Sequence, residues 1–554
     1  MLLNKYLIKT RYNSYNDFID NCKIYVPKNF NFAFDVVDEL AQLNPKKKAI
    51  IWCDDHGNNK VLTFNDISEK SNKAANFFKS LGIHKGDVVM LILRRHYEYW
   101  ICILALHKLG ALVIPATHLL TSRDLLYRVI IAKVQVIIAL AEERIYNVVN
   151  KVKKSKLAKL KFTISVNGYI ENWLDYSKEV DKFSIYFTRP TGCEATKIND
   201  NFLLYFTSGT TGMPKMVCHN FAYPLGHIIT AKYWQNLHEN SLHFTVSDTG
   251  WAKASWGKIY GQWLCESCVF VYDYERFNSK NLLTKIVEHS ITSFCAPPTV
   301  YRYIIKENLL KYNLSKLKYV ETAGEPLNPE VFYKFKHMTG LEIKEGFGQT
   351  ESVVFIATFP WMKVKPGSIG KPAAGWNIDI VDDKNNTCQI GQAGRLIIRL
   401  NQTKPVGLFD GYYNSKAILD NNYYDTGDIV YRDHDGYFWF VGRADDIIKS
   451  AGYRIGPFEV ENALMEHPCV LECAVIGVPD NDRGNVVKAS IVLSDGYTPT
   501  MQLRTMLQEH VKKMTAPYKY PRIIEFVKEL PKTISGKIIR NKLRKGNIKD
   551  NYEY

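Results

Sequence analysis

Thr207-Ser208-Gly209-Thr210-Thr211-Gly212-Met213-Pro214-Lys215 follows the apolar run Phe202-Leu203-Leu204-Tyr205-Phe206, and it narrows the class of protein at once. Nine residues hold four hydroxyls, two glycines and a lysine at the end of a short buried strand. Glycines let backbone N–H groups approach a phosphate, hydroxyls donate hydrogen bonds, and lysine supplies charge. The GxxxxGK[ST] spacing of a P-loop is absent, so this is a phosphate-binding turn of another kind. A merely polar loop has no need of so many donors.

Four further segments carry chemistry. Glu345-Gly346-Phe347-Gly348-Gln349-Thr350-Glu351 sets a carboxylate beside a hydroxyl at a Gly-rich turn, which suits a Mg²⁺–phosphate site. Thr322-Ala323-Gly324-Glu325-Pro326 ends a strand at a glycine, as a purine-binding turn does. Tyr424-Asp425-Thr426-Gly427-Asp428 is followed fifteen residues later by Arg443. An Asp that accepts from vicinal ribose hydroxyls recurs in nucleotide sites, although Asp428 alone reads equally as a turn residue. Pro531-Lys532-Thr533-Ile534-Ser535-Gly536-Lys537 puts Lys537 after a Ser-Gly turn, where an isolated lysine is ordinarily solvated.

Around these segments strand and helix signals alternate. Residues 87–95 read as a buried strand, 97–110 as a helix ended by Gly110, and 111–116 as a strand. Residues 122–133 read as a helix with Ser122 as N-cap, and 134–140 as the next strand. The pattern resumes from about 200 to 350. Such alternation implies an α/β fold with parallel sheets. Residues 365–440 are richer in Gly and short strands and suggest a β subdomain. Arg443-Ala444-Asp445-Asp446 reads as a hinge. Beyond it lies a small α+β pattern, with helices at 457–467 and 501–514 and strands at 473–479 and 487–493. The expected organisation is therefore an N-terminal domain of two α/β subdomains and a β subdomain over 30–442, a hinge over 443–446, and a mobile C-terminal domain over 447–545.

The 554 residues allow several domains, and an apolar share of 46% allows a large core. The net charge of +16 has two readings, an anionic partner or a general Lys-rich bias. Residues 511–545 stand apart, with eight Lys and three Arg against Glu525 and Glu529. Eleven scattered Cys argue for a reducing compartment, and Cys265 and Cys268 read as buried free thiols rather than a metal pair. No RNP-like or helix-turn-helix pattern accompanies the charge, so nucleic acid is not the expected partner. The first residues hold no apolar core of a secretory signal, while a short basic mitochondrial presequence stays open as a reading. Trp100–Ala116 comes nearest to a membrane span but contains His107 and Lys108. The expected location is the cytoplasm, with the mitochondrial matrix as the alternative.

Together and in this order, TSGTTGMPK, GFGQTE, YYDTGD, GRADDIIKSAGYRIGP and PKTISGK resemble the adenylate-forming superfamily of acyl-CoA synthetases, luciferases and peptide-synthetase adenylation domains. SDTGWAKASWGKIYGQW (247–263), CAPPTVYR (295–302), GRADDIIKSAGYRIGPFEVENALMEHP (442–468) and TAPYKYPR (515–522) look like its medium-chain acyl-CoA synthetase branch. The resemblance spans about residues 30–545. It implies an AMP-forming acid–thiol ligase with ATP, Mg²⁺ and coenzyme A. A short-, branched- or medium-chain acid becomes acyl-AMP and is then passed to the CoA thiol. Acetate or an aryl acid is the alternative substrate, and a silent nucleotide-binding regulator the non-enzyme alternative.

The resemblance also assigns roles. Thr207, Ser208, Gly209, Thr210, Thr211, Gly212 and Lys215 close over the β- and γ-phosphates. Gly324, Glu325 and Pro326 line the adenine. Glu345, Gly346, Phe347, Gly348 and Gln349 run along the AMP, with Thr350 at the α-phosphate and Glu351 at Mg²⁺. Asp428 takes the ribose, with Arg443 nearby, and Lys537 brings carboxylate and α-phosphate together. Asp445 is the pivot that exchanges Lys537 for Ala451, Gly452 and Tyr453 beside the pantetheine. Arg454, Arg483, Tyr518, Lys519 and Tyr520 match CoA-facing positions, which gives the basic stretch a use beside that of a solvated face. Trp251, Trp256 and Phe355 match the acyl wall. Lys253 and Lys258 fall in that segment too, facing water or CoA. Oligomeric state is not legible.

Overall fold

The computed structural model describes residues 2–207, 214–401, 403–413, 422–451, 453–481, 483–532, 537–544 and 546, with the Arg454 side chain outside that description. Two sheets carry the N-terminal domain. One centres on Val88–Ile92, flanked in parallel by Leu112–Pro115 and Val136–Leu140. Asn201–Thr207 extends it, followed by the antiparallel strands Lys215–Asn220 and Gly411–Tyr412. The other sheet runs in parallel through Ile343–Phe347, Tyr319–Ala323, Ser293–Ala296, Leu242–Thr245, Cys268–Asp273 and Lys48–Asp54. The expected β subdomain is continuous with this sheet. Ser368–Pro372, Phe438–Arg443, Tyr423–Arg432, Gly394–Arg399 and Ile378–Val381 extend it in antiparallel order through Ile356–Ala357.

Strands buried on both faces must be apolar throughout, and Val88–Ile92 is buried at every position. Helix Glu98–Leu109 is apolar nearly all round because it lies inside the domain, ended by Gly110 in the left-handed region at φ 73°. Its one ammonium, Lys108, is buried and donates to Asp38 Oδ1 at 2.8 Å and to Asn72 Oδ1. Among the described residues no helix is long and apolar enough to cross a membrane. Helix Ser122–Ile131 is capped by Thr121, not by Ser122. The Thr121 hydroxyl accepts from the Asp124 amide at 3.2 Å and the Asp124 carboxylate accepts from the Thr121 amide, a reciprocal box that Ser122 has no acid to complete. The stretch NFAFDVVDEL (31–40) forms a π-helical turn, Ala33–Asp38, running into Glu39–Leu43.

The first residues are part of the folded core. Leu2, Leu3, Tyr6 and Leu7 are buried, and the Leu2 amide donates to Glu266 Oε1 at 2.8 Å. Phe18 packs against Tyr233, Phe359 and Trp361 with ring centres 4.9–5.4 Å away.

The C-terminal domain holds the sheet Val470–Asp480, Gly484–Leu493 and Ile523–Phe526 under helices Pro457–Met465 and Met501–Met514. Its basic stretch is largely engaged within the domain: Lys512 pairs with Glu509, Lys519 with Glu459, Lys532 with Glu472, and Arg544 with Asp446. Arg540 grips the buried Glu461 with one nitrogen at 2.7 and 2.9 Å. Much of the local charge excess thus builds the domain.

Candidate active site

In open α/β sheets ligands sit beyond the carboxyl ends of the strands. Both Tyr319–Ala323 and Ile343–Phe347 end at glycines here. Gly324 has φ 101°, and a Cβ built on it meets nothing within 4 Å, so the backbone faces open space. Gly346 and Gly348 lie flat against indoles. A Cβ at Gly346 would come within 2.4 Å of the Trp234 ring, and at Gly348 within 2.6 Å of Trp256. The indoles fill the space a Cβ would need, so only glycine fits at either position. Glu345 is buried and its carboxyl is pushed up to about 8 by burial, while the Leu327 amide donates to it at 3.1 Å. It ties the two strand ends together. Glu325 lies 4.0 Å from Arg302 and accepts from Thr299, beside Pro326.

Thr207 and Lys215 are opposite one another across antiparallel strands and close the hydroxyl-rich loop at its base. Ser208, Gly209, Thr210, Thr211 and Gly212 lie outside the described residues, as does Gly452. The Thr350 carbonyl accepts from His219 Nε2 at 2.8 Å. His219 is buried, and burial lowers its pKa to about 3, so it stays neutral and donates through Nε2. Glu351 accepts from the Tyr412 hydroxyl at 2.9 Å. Gln349 does not extend freely along a ligand: its amide donates to Asp428 Oδ2 at 2.6 Å and to the Thr426 carbonyl at 2.8 Å, and accepts from Tyr424 at 2.9 Å.

Asp428 is buried, and Arg443 Nη1 donates to its other oxygen at 3.0 Å. Burial raises its pKa, against Arg443, Gln349 and the charge of Lys537. Lys537 therefore stands within electrostatic reach of Asp428, and of Lys253 too, whose pKa is lowered by burial with Lys537 adding to the shift. The exposed lysine of the C-terminal domain thus lies within Coulombic range of two groups of the N-terminal domain. Its neighbour Ile538 forms an antiparallel bridge with Lys532.

Of the two lysines of segment 247–263, Lys253 is half-buried and Lys258 is closed off from water. Lys253 donates to the Ala323 carbonyl at 2.8 Å, beside the buried Cys295 thiol. Lys258 is buried without a hydrogen-bond partner for its ammonium, and burial pulls its pKa down to about 7. Trp256 borders the site through Gly348, and Trp251 is half-buried at the start of the same helix. Phe355 lies one layer back. It is wholly buried, stacked on Trp376 at 5.2 Å and edge-on to Phe347 at 5.4 Å, so it supports the wall without forming its surface.

A second cluster lies on the C-terminal domain. Tyr453 and Tyr518, both half-exposed, stack at 4.1 Å with 15° between planes. Lys519 sits 5.7 Å over Tyr518, and Tyr520 lies under Lys512 and Arg522. Ala451 holds a left-handed φ of 47° and its amide donates to the carbonyl of exposed Arg483 at 2.9 Å. Asp445, at the expected pivot, lies 4.0 Å from Arg443. His219, Tyr412, Tyr424 and Trp234 were missed by sequence reading; the only signal for His219 was a lone polar ring in the apolar run after Lys215.

Residues 37–413 match the family model for AMP-binding enzymes, and 459–537 match the AMP-binding enzyme C-terminal domain. The mitochondrial acyl-coenzyme A synthetase ACSM3 of Rattus norvegicus is 40% identical, over 97% of this chain and 94% of its own. The human mitochondrial synthetase ACSM4 is 41% identical over 95% and 92%. Among solved structures, the anthranilate CoA ligase AuaEII bound to anthranoyl-AMP matches with a TM-score of 0.86 at 28% identity, covering 94% of this chain and 98% of that one. A benzoate CoA ligase from Burkholderia xenovorans LB400 matches with a TM-score of 0.80 at 26% identity, over 93% and 100%. The chain belongs to the family of AMP-binding, adenylate-forming enzymes, in its medium-chain acyl-CoA synthetase branch, and is an ATP-, Mg²⁺- and CoA-dependent acid–thiol ligase.

Proposed function

We propose that the acid is a short-, branched- or medium-chain monocarboxylate and that Lys537, Thr350 and Glu351 carry the first half-reaction. The observation that carries this reading is the reach of Lys537 from the C-terminal domain to Asp428 and Lys253. A carboxylate and an α-phosphate at ~4 Å repel by about 4 kcal/mol at an effective dielectric of 20. The Lys537 ammonium, placed between them, offsets that and stabilises the charge growing at phosphorus. Mg²⁺ held by Glu351 would neutralise phosphate charge in the same place. Asp428, steadied by Gln349 and Arg443, takes the ribose hydroxyls, and Gly324, Glu325 and Pro326 border the adenine.

Trp256 against Gly348 and Trp234 against Gly346 support a short acyl pocket, because indoles packed flat on backbone leave a long chain no way through. Lys253 beside Lys537 would help draw the carboxylate in. For the second half-reaction we assign coenzyme A to the C-terminal cluster. The Tyr453–Tyr518 stack offers an apolar face with Lys519 over Tyr518, and we group Ala451, Gly452, Arg454, Arg483 and Tyr520 with it on the motif resemblance alone. Domain limits of 30–442 and 447–545 with a pivot at Asp445 fit this division of labour. For the compartment, the scattered cysteines fit the reducing cytoplasm, whereas the relatives are named mitochondrial. A fluorescent fusion placed after residue 554 separates the two.

The decisive assay measures AMP release with straight and branched acids of two to twelve carbons and with benzoate, each with and without CoA. Turnover highest at four to ten carbons and dependent on CoA is expected. Highest turnover with benzoate moves the enzyme to the aryl alternative, and AMP release indifferent to CoA removes the thioester step.

A further inference from the structure

We propose that Tyr412 is a positioning residue that fixes Glu351 for the cation and couples it to Lys215 at the base of the phosphate loop. Strand Gly411–Tyr412 lies antiparallel to Lys215–Asn220, with Tyr412 opposite Val217. From there the side chain meets two members of the nucleotide site. Its hydroxyl donates to Glu351 Oε1 at 2.9 Å, and its ring lies 5.0 Å beneath the Lys215 ammonium. The backbone of Glu351 is held from the same segment, because the Phe409 amide donates to its carbonyl at 2.8 Å. Phe409 in turn packs edge-on against both Tyr412 and Tyr424 at 5.2 Å.

A carboxylate that binds a divalent cation needs its rotamer set beforehand, and a hydrogen bond to one oxygen does this by fixing the other. A phenol keeps its proton throughout the neutral range, so it acts as a donor to the carboxylate. The same ring stabilises a lysine ammonium over its face. Tyr412 thus brings metal carboxylate and phosphate-loop lysine into register through one rigid group. Nothing in its local sequence, Phe409-Asp410-Gly411-Tyr412, marks it as part of a nucleotide site.

The inference rests on Glu351 as the metal ligand, and the test separates the two claims. ATP affinity is measured by isothermal titration over a Mg²⁺ series without acid or CoA, for wild type, Tyr412→Phe, Tyr412→Leu and Glu351→Gln. For Tyr412→Phe the Mg²⁺ concentration needed for half the tightening should rise about ten- to a hundred-fold, the range seen when an outer partner of a metal ligand is removed. Its melting temperature without nucleotide should equal that of wild type. Tyr412→Leu should in addition weaken ATP at saturating Mg²⁺, since Lys215 loses its platform. A Tyr412→Phe midpoint within two-fold of wild type, while that of Glu351→Gln rises, overturns the role of Tyr412 alone. If neither midpoint moves, Glu351 is not the ligand and both claims fall. A uniform weakening at every Mg²⁺ concentration with a lowered melting temperature reduces Tyr412 to a packing residue.

Discussion

Lys258 carries an ammonium where solvent does not reach, near Arg95, Asp248 and Asp273 but hydrogen-bonded to none of them. Its pKa falls from 10.5 to about 7, so between those values the unfolded chain binds a proton that the folded one lacks. Stability contributed by this group must therefore rise with pH across that window, and its cost is greatest below pH 7. At pH 6, Lys258→Met should be the more stable protein by about 1–4 kcal/mol, as when buried charges give way to apolar side chains. The difference should narrow toward pH 9, as read by denaturant melts at each pH. The sequence exposed this lysine as unusual in its segment without showing where it pointed. Lys537, Thr350, Glu351 and Asp428 were legible as candidates through the motifs that carry the family resemblance. His219 and Tyr412 were not, because each acts on a partner far along the chain, 131 and 61 residues away, and only the fold joins them.

At the scale of elements, strands and helices were legible where the apolar period was strong, as in Val88–Ile92 and Glu98–Leu109. Caps were less so. Two hydroxyl residues precede Arg123, and the choice between them depends on Asp124, which only Thr121 can meet in a reciprocal pair. The amino-terminal stretch gave no element signal, because its polar and apolar residues follow no clear period, yet it packs on the domain core. Phe18 fills a space between Tyr233, Phe359 and Trp361, and Phe18→Ala should cost about 3–5 kcal/mol, measured by the denaturant midpoint with an unchanged slope.

At the scale of the whole molecule, the proposed mechanism has one domain lend its lysine to a site built by the other. Lys537→Ala should reduce acyl-AMP formation, followed as pyrophosphate release, by about 10²–10³-fold, the loss typical of a positioned transition-state donor. Thioester formation from supplied acyl-AMP should fall by less than ten-fold. Equal loss in both would mean that the lysine serves one fixed arrangement throughout.

The continuity of the long sheet has a mechanical meaning. Strand Phe438–Arg443 ends on the arginine that pairs with Asp428 in register and by side chain, and the expected pivot at Asp445 begins two residues later. The nucleotide's sugar would therefore rest against the root of the lever arm itself. Departure of AMP would unload that root, so the same event that empties the pocket would free the arm to swing back for another turnover.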